Sequence, residues 1–264
     1  MDETASATPV ATARTSLATA GAHLLPATVT KSLLAADRAA WTRFAAHWEE
    51  LSPDRYAAEL GTCRLRRYGQ FSLTPATGEL SHLPQLPDLP FVQPDRTNPL
   101  YDGVDRHFEP LTEAFAADPV LRAALALLGR LAGALDATVT TWNAKVHPFR
   151  VVAAADGAGN PTPEGRHRDG VTLVSSLLVN RHNATGGRST VYAPDGRELL
   201  SVTLDEPAAL LVADDRSTLH GVSPIRPLDP ARTAHRDVLV TTLIPQIRSA
   251  RSRAAGPPAG RERC

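Results

Sequence analysis

Three residues of this sequence have the types and spacing to hold a metal ion. His167 and Asp169 stand two apart in Gly165-Arg166-His167-Arg168-Asp169-Gly170, and His220 follows fifty-three positions after His167 in Leu219-His220-Gly221-Val222-Ser223-Pro224. Side chains two apart at a strand end point the same way. His167 and Asp169 can therefore aim an imidazole and a carboxylate at one point, and a second imidazole completes the face that binds Fe(II) and leaves coordination positions open. Arg236, sixteen residues beyond His220, opens the strand-like run Arg236-Asp237-Val238-Leu239-Val240. An inward guanidinium there could pair bidentately with the distal carboxylate of a dicarboxylic co-substrate. A His-x-Asp alone is common, and a lone histidine is more often structural. Their order and spacing, together with the following arginine, carry the reading.

These side chains can meet only if the intervening chain returns to its starting point. From Ala137 onward the sequence is a succession of short strand-like runs: Val139 to Ala154, Val171 to Asn180, Arg188 to Tyr192, Glu198 to Leu204, Ala208 to Ala213 and Arg236 to Ile244. The separators include Asp156-Gly157, Thr185-Gly186-Gly187, Pro194-Asp195-Gly196 and Asp205-Glu206-Pro207, turn signals of an all-β barrel or jelly roll. About four short strands between His167 and His220 suit a double-stranded β-helix, which brings both back to one mouth. The predicted fold is therefore mainly β with flanking helices: a cupin-like jelly-roll core preceded by N-terminal helices.

Upstream, Leu34, Trp41, Phe44, Trp48 and Leu51 recur at helical spacing and predict a helix that covers a sheet. Ser52-Pro53-Asp54 offers a cap and a first-turn proline for a short helix through Ala58 to Leu60. A hairpin is predicted over 62–83, on which Arg64, Arg66 and Tyr68 share one face; that face is either a solvated arginine-rich surface or a clamp for a substrate carboxylate. Pro84, Pro87, Pro90, Pro94 and Pro99 mark an irregular segment, equally a lid or plain surface packing. Helices follow around Asp105 to Ala117 and from Pro119 through Leu135, where Leu121, Leu125, Leu128 and Leu131 form a core stripe. The expected organisation is one domain over 23–248, helical over about 23–135 and jelly roll over about 137–248 with the hairpin joining it. Loose tails are expected over 1–22 and 249–264.

With 28 basic and 28 acidic residues among 264, the formal net charge is zero. Neither a nucleic-acid backbone nor an anionic membrane surface is an expected partner, and no basic stripe with aromatic platforms is present. Small molecules are. Cys63 and Cys264 make neither a disulfide framework nor a cysteine zinc site, which suits a reducing cytoplasm. No cationic start with an apolar run opens the chain, and no apolar stretch approaches membrane-spanning length, so a soluble, unexported protein is expected. The oligomeric state is not legible.

The motifs also resemble a known family. His167-Arg168-Asp169, Asn183-Ala184-Thr185-Gly186-Gly187, Leu219-His220-Gly221-Val222-Ser223-Pro224 and Arg236-Asp237-Val238-Leu239-Val240-Thr241 are similar, in order, to the signature of the bacterial Fe(II)/2-oxoglutarate dioxygenases that include L-isoleucine 4-hydroxylase. The likeness runs from about Gly61 to Pro245 and is weaker at Cys63-Arg64-Leu65-Arg66-Arg67-Tyr68 and Val146-His147-Pro148-Phe149-Arg150. It implies that His167, Asp169 and His220 bind Fe(II) and that Arg236 anchors the C5 carboxylate of 2-oxoglutarate. Arg226 and Arg232 compete for that role but sit in a Pro-rich loop. The implied reaction consumes O2, converts 2-oxoglutarate to succinate and CO2, and hydroxylates an sp3 carbon. A small residue in place of Asp169 would instead suggest halogenation.

The family suggests a free aliphatic L-amino acid as substrate, with Arg64, Arg66, His147 and Arg150 as candidates for its carboxylate and Tyr68 as a hydrogen-bonding partner. His147, beside Pro148, is as readily a structural residue. Desaturation or oxidative ring closure in natural-product biosynthesis is the alternative outcome of the same site. A non-catalytic jelly roll that binds a small ligand is the third reading.

Overall fold

The computed structural model describes residues 8–83, 106–155 and 157–246. The proline-rich segment, Asp156 and the C-terminal tail expected over 249–264 lie outside these. Helices α1 (Pro9–Ala20), α2 (Ala27–Leu33), α3 (Arg38–Ala46), α4 (Arg55–Glu59), α5 (Glu113–Ala117) and α6 (Pro119–Ala132) are interleaved with strands β1 (Ala22–Leu25), β2 (Ser52–Pro53), β3 (Arg64–Arg66), β4 (Gly69–Thr74) and β5 (Glu79–Leu83). The remaining strands are β6 (Trp142–Ala153), β7 (Leu173–His182), β8 (Ala184–Gly186), β9 (Arg188–Tyr192), β10 (Glu198–Thr203), β11 (Leu210–Asp214), β12 (Leu219–Val222), β13 (Ile225–Pro227) and β14 (Ala234–Pro245).

The protein is mainly β, as predicted. Among the described residues the large antiparallel sheet runs β1-β11-β7-β14-β6-β3-β2, with β4 also on β6 and β5 on β4; a smaller sheet runs β10-β9-β12, and β13 pairs β8. Strand alternation separates two cores. From β7, β11 and β14, the side chains Leu173, Leu177, Leu210, Val212, Leu239 and Leu243 pack outward under the helices with Trp41, Phe44, Trp48, Leu121 and Leu125. Their neighbours Val174, Leu178, Leu211, Ala213 and Val238 point inward, with Val191 of the small sheet. Indole N–H groups fasten the helical layer: Trp41 Nε1 donates to the Val179 carbonyl at 3.3 Å and Trp48 Nε1 to that of Phe149 at 3.0 Å.

The sequence expectations differ from the structure in four places. The stretch through residue 22, expected to be a loose tail, carries α1 and the start of β1. Thr8 caps α1, Pro9 opens it, and Gly21 ends it at φ 75°, after which β1 pairs with β11. The single helix expected through Leu34 to Leu51 is broken at Ala35, whose φ is 49°, and restarts when Asp37 accepts the Ala40 N–H; the five spaced residues still share one core. The helix expected from Asp105 is only α5, because Tyr68 pairs with the backbone at Glu109 and Leu111 and holds that stretch extended until Thr112 caps the helix. Likewise Asp54, not Ser52, caps α4, and Ser52 and Pro53 form β2. No helix among the described residues is long and apolar enough to cross a membrane.

Candidate metal centre

His167 and His220 face each other across an isolated antiparallel bridge, each N–H donating to the other's carbonyl at 3.0 and 2.9 Å. This pairing brings their rings to a centroid separation of 4.4 Å. Asp169 stands between them, Oδ1 3.8 Å from His167 Nε2 and Oδ2 3.6 Å from His220 Nε2. One ligand atom from each residue lies within 4.8 Å of the others. Two imidazole nitrogens and one carboxylate oxygen in this arrangement suit a first-row divalent ion of Fe(II) type.

The other ring nitrogens face acceptors. His167 Nδ1 lies 3.1 Å from the Gly165 carbonyl, which accepts its proton and leaves Nε2 for a metal. His220 Nδ1 faces Asp215 Oδ1 at 3.5 Å, at the outer edge of hydrogen-bonding reach. Asp215, buried in the turn after β11, also accepts the backbone N–H groups of Asp169 and Val171 at 3.2 and 3.0 Å, so one carboxylate sets both halves of the face. Burial pushes the Asp215 carboxyl up, but His220 and those N–H groups outweigh it and hold it below its usual range. At His220 burial disfavours the charged ring, while the carboxylates of Asp215, Asp169 and Glu164 more than offset this and raise its pKa.

The face opens into a cavity of about 220 Å³, whose walls include Arg64, Arg66, Arg106, Lys145, His147, Glu164 and Arg236. On β14 the side chains of Arg236, Val238, Val240, Thr242 and Ile244 line it, one strand face throughout. Arg236 is 1% exposed, and its Nε and Nη2 have no hydrogen-bond partner among the described residues. Burial, with the Arg181 charge behind it, pulls its pKa down to about 10. A buried cation with two unanswered donors fits a carboxylate such as that of 2-oxoglutarate. Gly187 lets the chain pass over its stem: a Cβ there would meet Arg236 Cδ at 3.2 Å. Arg226 and Arg232 are exposed.

The substrate candidates divide. Arg64 and Arg66 face the cavity as a clamp would, but Arg64 is paired to buried Asp54 at 2.8 Å, and Arg66 lies 3.5 Å over the Phe108 ring. Arg66 Nη2 donates to His147 Nδ1 at 2.7 Å, so His147 carries its proton on Nε2. Burial first, then Arg66, Lys145, Arg106 and Arg64, hold the His147 pKa well below its usual value. Tyr68 stacks on His147 at 5.0 Å but is absent from the cavity wall; burial raises its phenol pKa. Arg150 does not join the site. It lies on the opposite face of β6 from Lys145, His147 and Phe149, and it binds Asp237 bidentately at 2.7 and 2.8 Å and Glu49 at 2.8 Å.

Sequence reasoning missed Asp215, Glu164, Arg106 and Lys145. Lys145 was within reach, because it stands two before His147 on one strand. Asp215 had no pattern to reveal it.

The 2OG-Fe dioxygenase family model matches residues 45–242. The chain is similar to the crystal structure of a bsmA homolog from Methylobium petroleophilum, with 35% identity and a TM-score of 0.79 over 89% of this chain and 92% of that one. IDO from Bacillus thuringiensis is similar at 16% identity and a TM-score of 0.73, over 90% and 100% of the two chains. The Fe(II)/(alpha)ketoglutarate-dependent dioxygenase TqaL aligns at 18% identity and a TM-score of 0.70, over 92% and 88%. These last two likenesses speak to the fold alone. Among curated proteins none matches the chain.

Proposed function

Because the chain belongs to the 2OG-Fe dioxygenase family, whose members use Fe(II), 2-oxoglutarate and O2, we propose that it hydroxylates an unactivated C–H bond of a free aliphatic L-amino acid. In this reading His167, Asp169 and His220 hold the iron, and Arg236 binds the distal carboxylate of 2-oxoglutarate. Bound there, the metal and co-substrate activate O2 for oxygen insertion into an aliphatic C–H bond, with succinate and CO2 as co-products.

The chain's own part is to bind, orient and exclude water. Asp215 accepts the backbone N–H groups of Asp169 and Val171 and faces the His220 ring at 3.5 Å, so one carboxylate is placed to orient both parts of the metal-binding face. The observation that carries the substrate reading is the wall facing the metal site: Arg64, Arg66, Arg106 and Lys145 line one small cavity with the candidate ligands. A carboxylate binds there through Arg64 and Arg66, with His147 as a neutral donor through Nε2, while Val171, Val174, Val240 and Ile244 supply apolar surface for an aliphatic chain. This extends the family assignment toward the amino-acid hydroxylases, with a cytoplasmic, single-domain protein as part of the same proposal.

The test is a screen of free L-amino acids for substrate-dependent succinate release, with product mass recorded. A gain of one oxygen on an aliphatic amino acid is expected. Succinate release triggered by no free amino acid rejects the substrate class, and a loss of two hydrogens moves the outcome to desaturation or ring closure.

A further inference from the structure

Two histidines and Asp169 complete the metal-binding face, yet a second carboxylate stands beside it. Glu164 Oε1 lies 3.5 Å from His167 Nε2, and its side chain, 9% exposed, lines the same cavity. A tied loop holds it there. The Gly165 N–H donates to the Thr162 carbonyl at 2.9 Å, and Thr162 Oγ1 donates to the Val222 carbonyl of β12 at 3.0 Å while accepting the Val222 N–H at 2.9 Å. Gly165 takes φ +78°, which side-chain-bearing residues rarely adopt. The turn it permits lets Glu164 and His167 face one space.

The cavity therefore carries charges of both signs. Arg64, Arg66, Arg106 and Lys145 line it together with Glu164, which stands beside His167. A molecule with an anionic and a cationic end matches that combination. We propose that Glu164 accepts the substrate's ammonium group and so determines specificity for a free amino acid over its deaminated or N-acylated counterpart; this rests on the amino-acid reading above. A charge-assisted N–H···O bond at a site this buried discriminates by roughly tenfold or more. A ligand without the ammonium leaves the carboxylate facing an uncharged group in a low-dielectric site.

The experiment uses full-length protein and Glu164→Gln, each loaded with Fe(II) and 2-oxoglutarate under anaerobic conditions. Both are titrated calorimetrically with L-leucine, L-isoleucine, 4-methylpentanoate and N-acetyl-L-leucine, and the visible band of the loaded site is monitored to show that the metal stays in place. Wild type is expected to bind a free amino acid at least about tenfold more tightly than either leucine analogue. Glu164→Gln is expected to lose about tenfold or more for the amino acid and almost nothing for 4-methylpentanoate, which levels the two. A variant that loses the band shows Glu164 to be needed for holding the metal and overturns the role proposed for it. Amino-acid binding that is indifferent to Glu164→Gln, or a wild type that does not distinguish L-leucine from 4-methylpentanoate, overturns the role of Glu164 while leaving the amino-acid reading intact. A wild type that binds neither amino acid but does bind an analogue overturns both.

Discussion

Asp215 joins the two parts of the candidate metal-binding face, because one buried carboxylate faces the His220 ring and accepts the backbone N–H groups of Asp169 and Val171. Its removal takes away the carboxylate facing the ring and leaves the Asp169 and Val171 N–H groups without their acceptor. Asp215→Ala is expected to lower Fe(II) affinity by about 10- to 100-fold, measured by competition with a chelator; Asp215→Asn, which keeps an acceptor oxygen, should fall between the two. An unchanged affinity in the alanine variant would show that the contact is incidental. The face itself was legible in the sequence, since His167 and Asp169 differ by the strand period and His220 sits one jelly-roll return away. Asp215 was not, because its role depends on where the turn after β11 lands, and no local pattern encodes that.

Strand parity explains which arginines reach the cavity. On β6, Lys145, His147 and Phe149 point inward, so Arg150, of opposite parity, meets Asp237 and Glu49 instead. Arg150 was among the candidates for the substrate carboxylate; alternation from His147 would have excluded it. The helices show the converse. Thr8, Pro9 and Gly21 were start and stop signals for α1, masked by an Ala- and Thr-rich composition with little apolar periodicity. The loop before β9 offers a test of element geometry. Gly187 has φ +68°, and a Cβ there would lie 2.9 Å from Ile225 Cγ2 and 3.2 Å from Arg236 Cδ, whereas Gly78, at φ +69° in the β4–β5 turn, has open space. Gly78→Ala should cost about 1 kcal/mol of strain alone. Gly187→Ala should cost about 2–4 kcal/mol, from strain and overpacking together, and should also weaken 2-oxoglutarate binding, as read by denaturant melts and ligand titration. Equal effects of the two substitutions would mean that Gly187 is not packed against the arginine.

At the scale of the whole molecule, the jelly roll buries a cation that nothing among the described residues answers through its Nε and Nη2. Burial disfavours the charged form of this guanidinium. Replacing Arg236 by leucine removes a buried charge and keeps apolar volume beside Val151 and Val238, so the protein without co-substrate should melt higher, by about 1–3 kcal/mol in stability. The same variant should gain no stability from 2-oxoglutarate, which raises the melting temperature of wild type by preferential binding to the folded state. The most direct test of the site is an anaerobic titration of the Fe(II)-loaded protein with 2-oxoglutarate, followed by the visible charge-transfer band. Wild type should show a saturable band, and Arg236→Leu should need about 30-fold more 2-oxoglutarate or beyond to reach it, the consequence of losing a buried charge-assisted pair worth about 2–5 kcal/mol. A band that saturates at the same concentration in both proteins would contradict the assignment of Arg236 and of the cavity it closes.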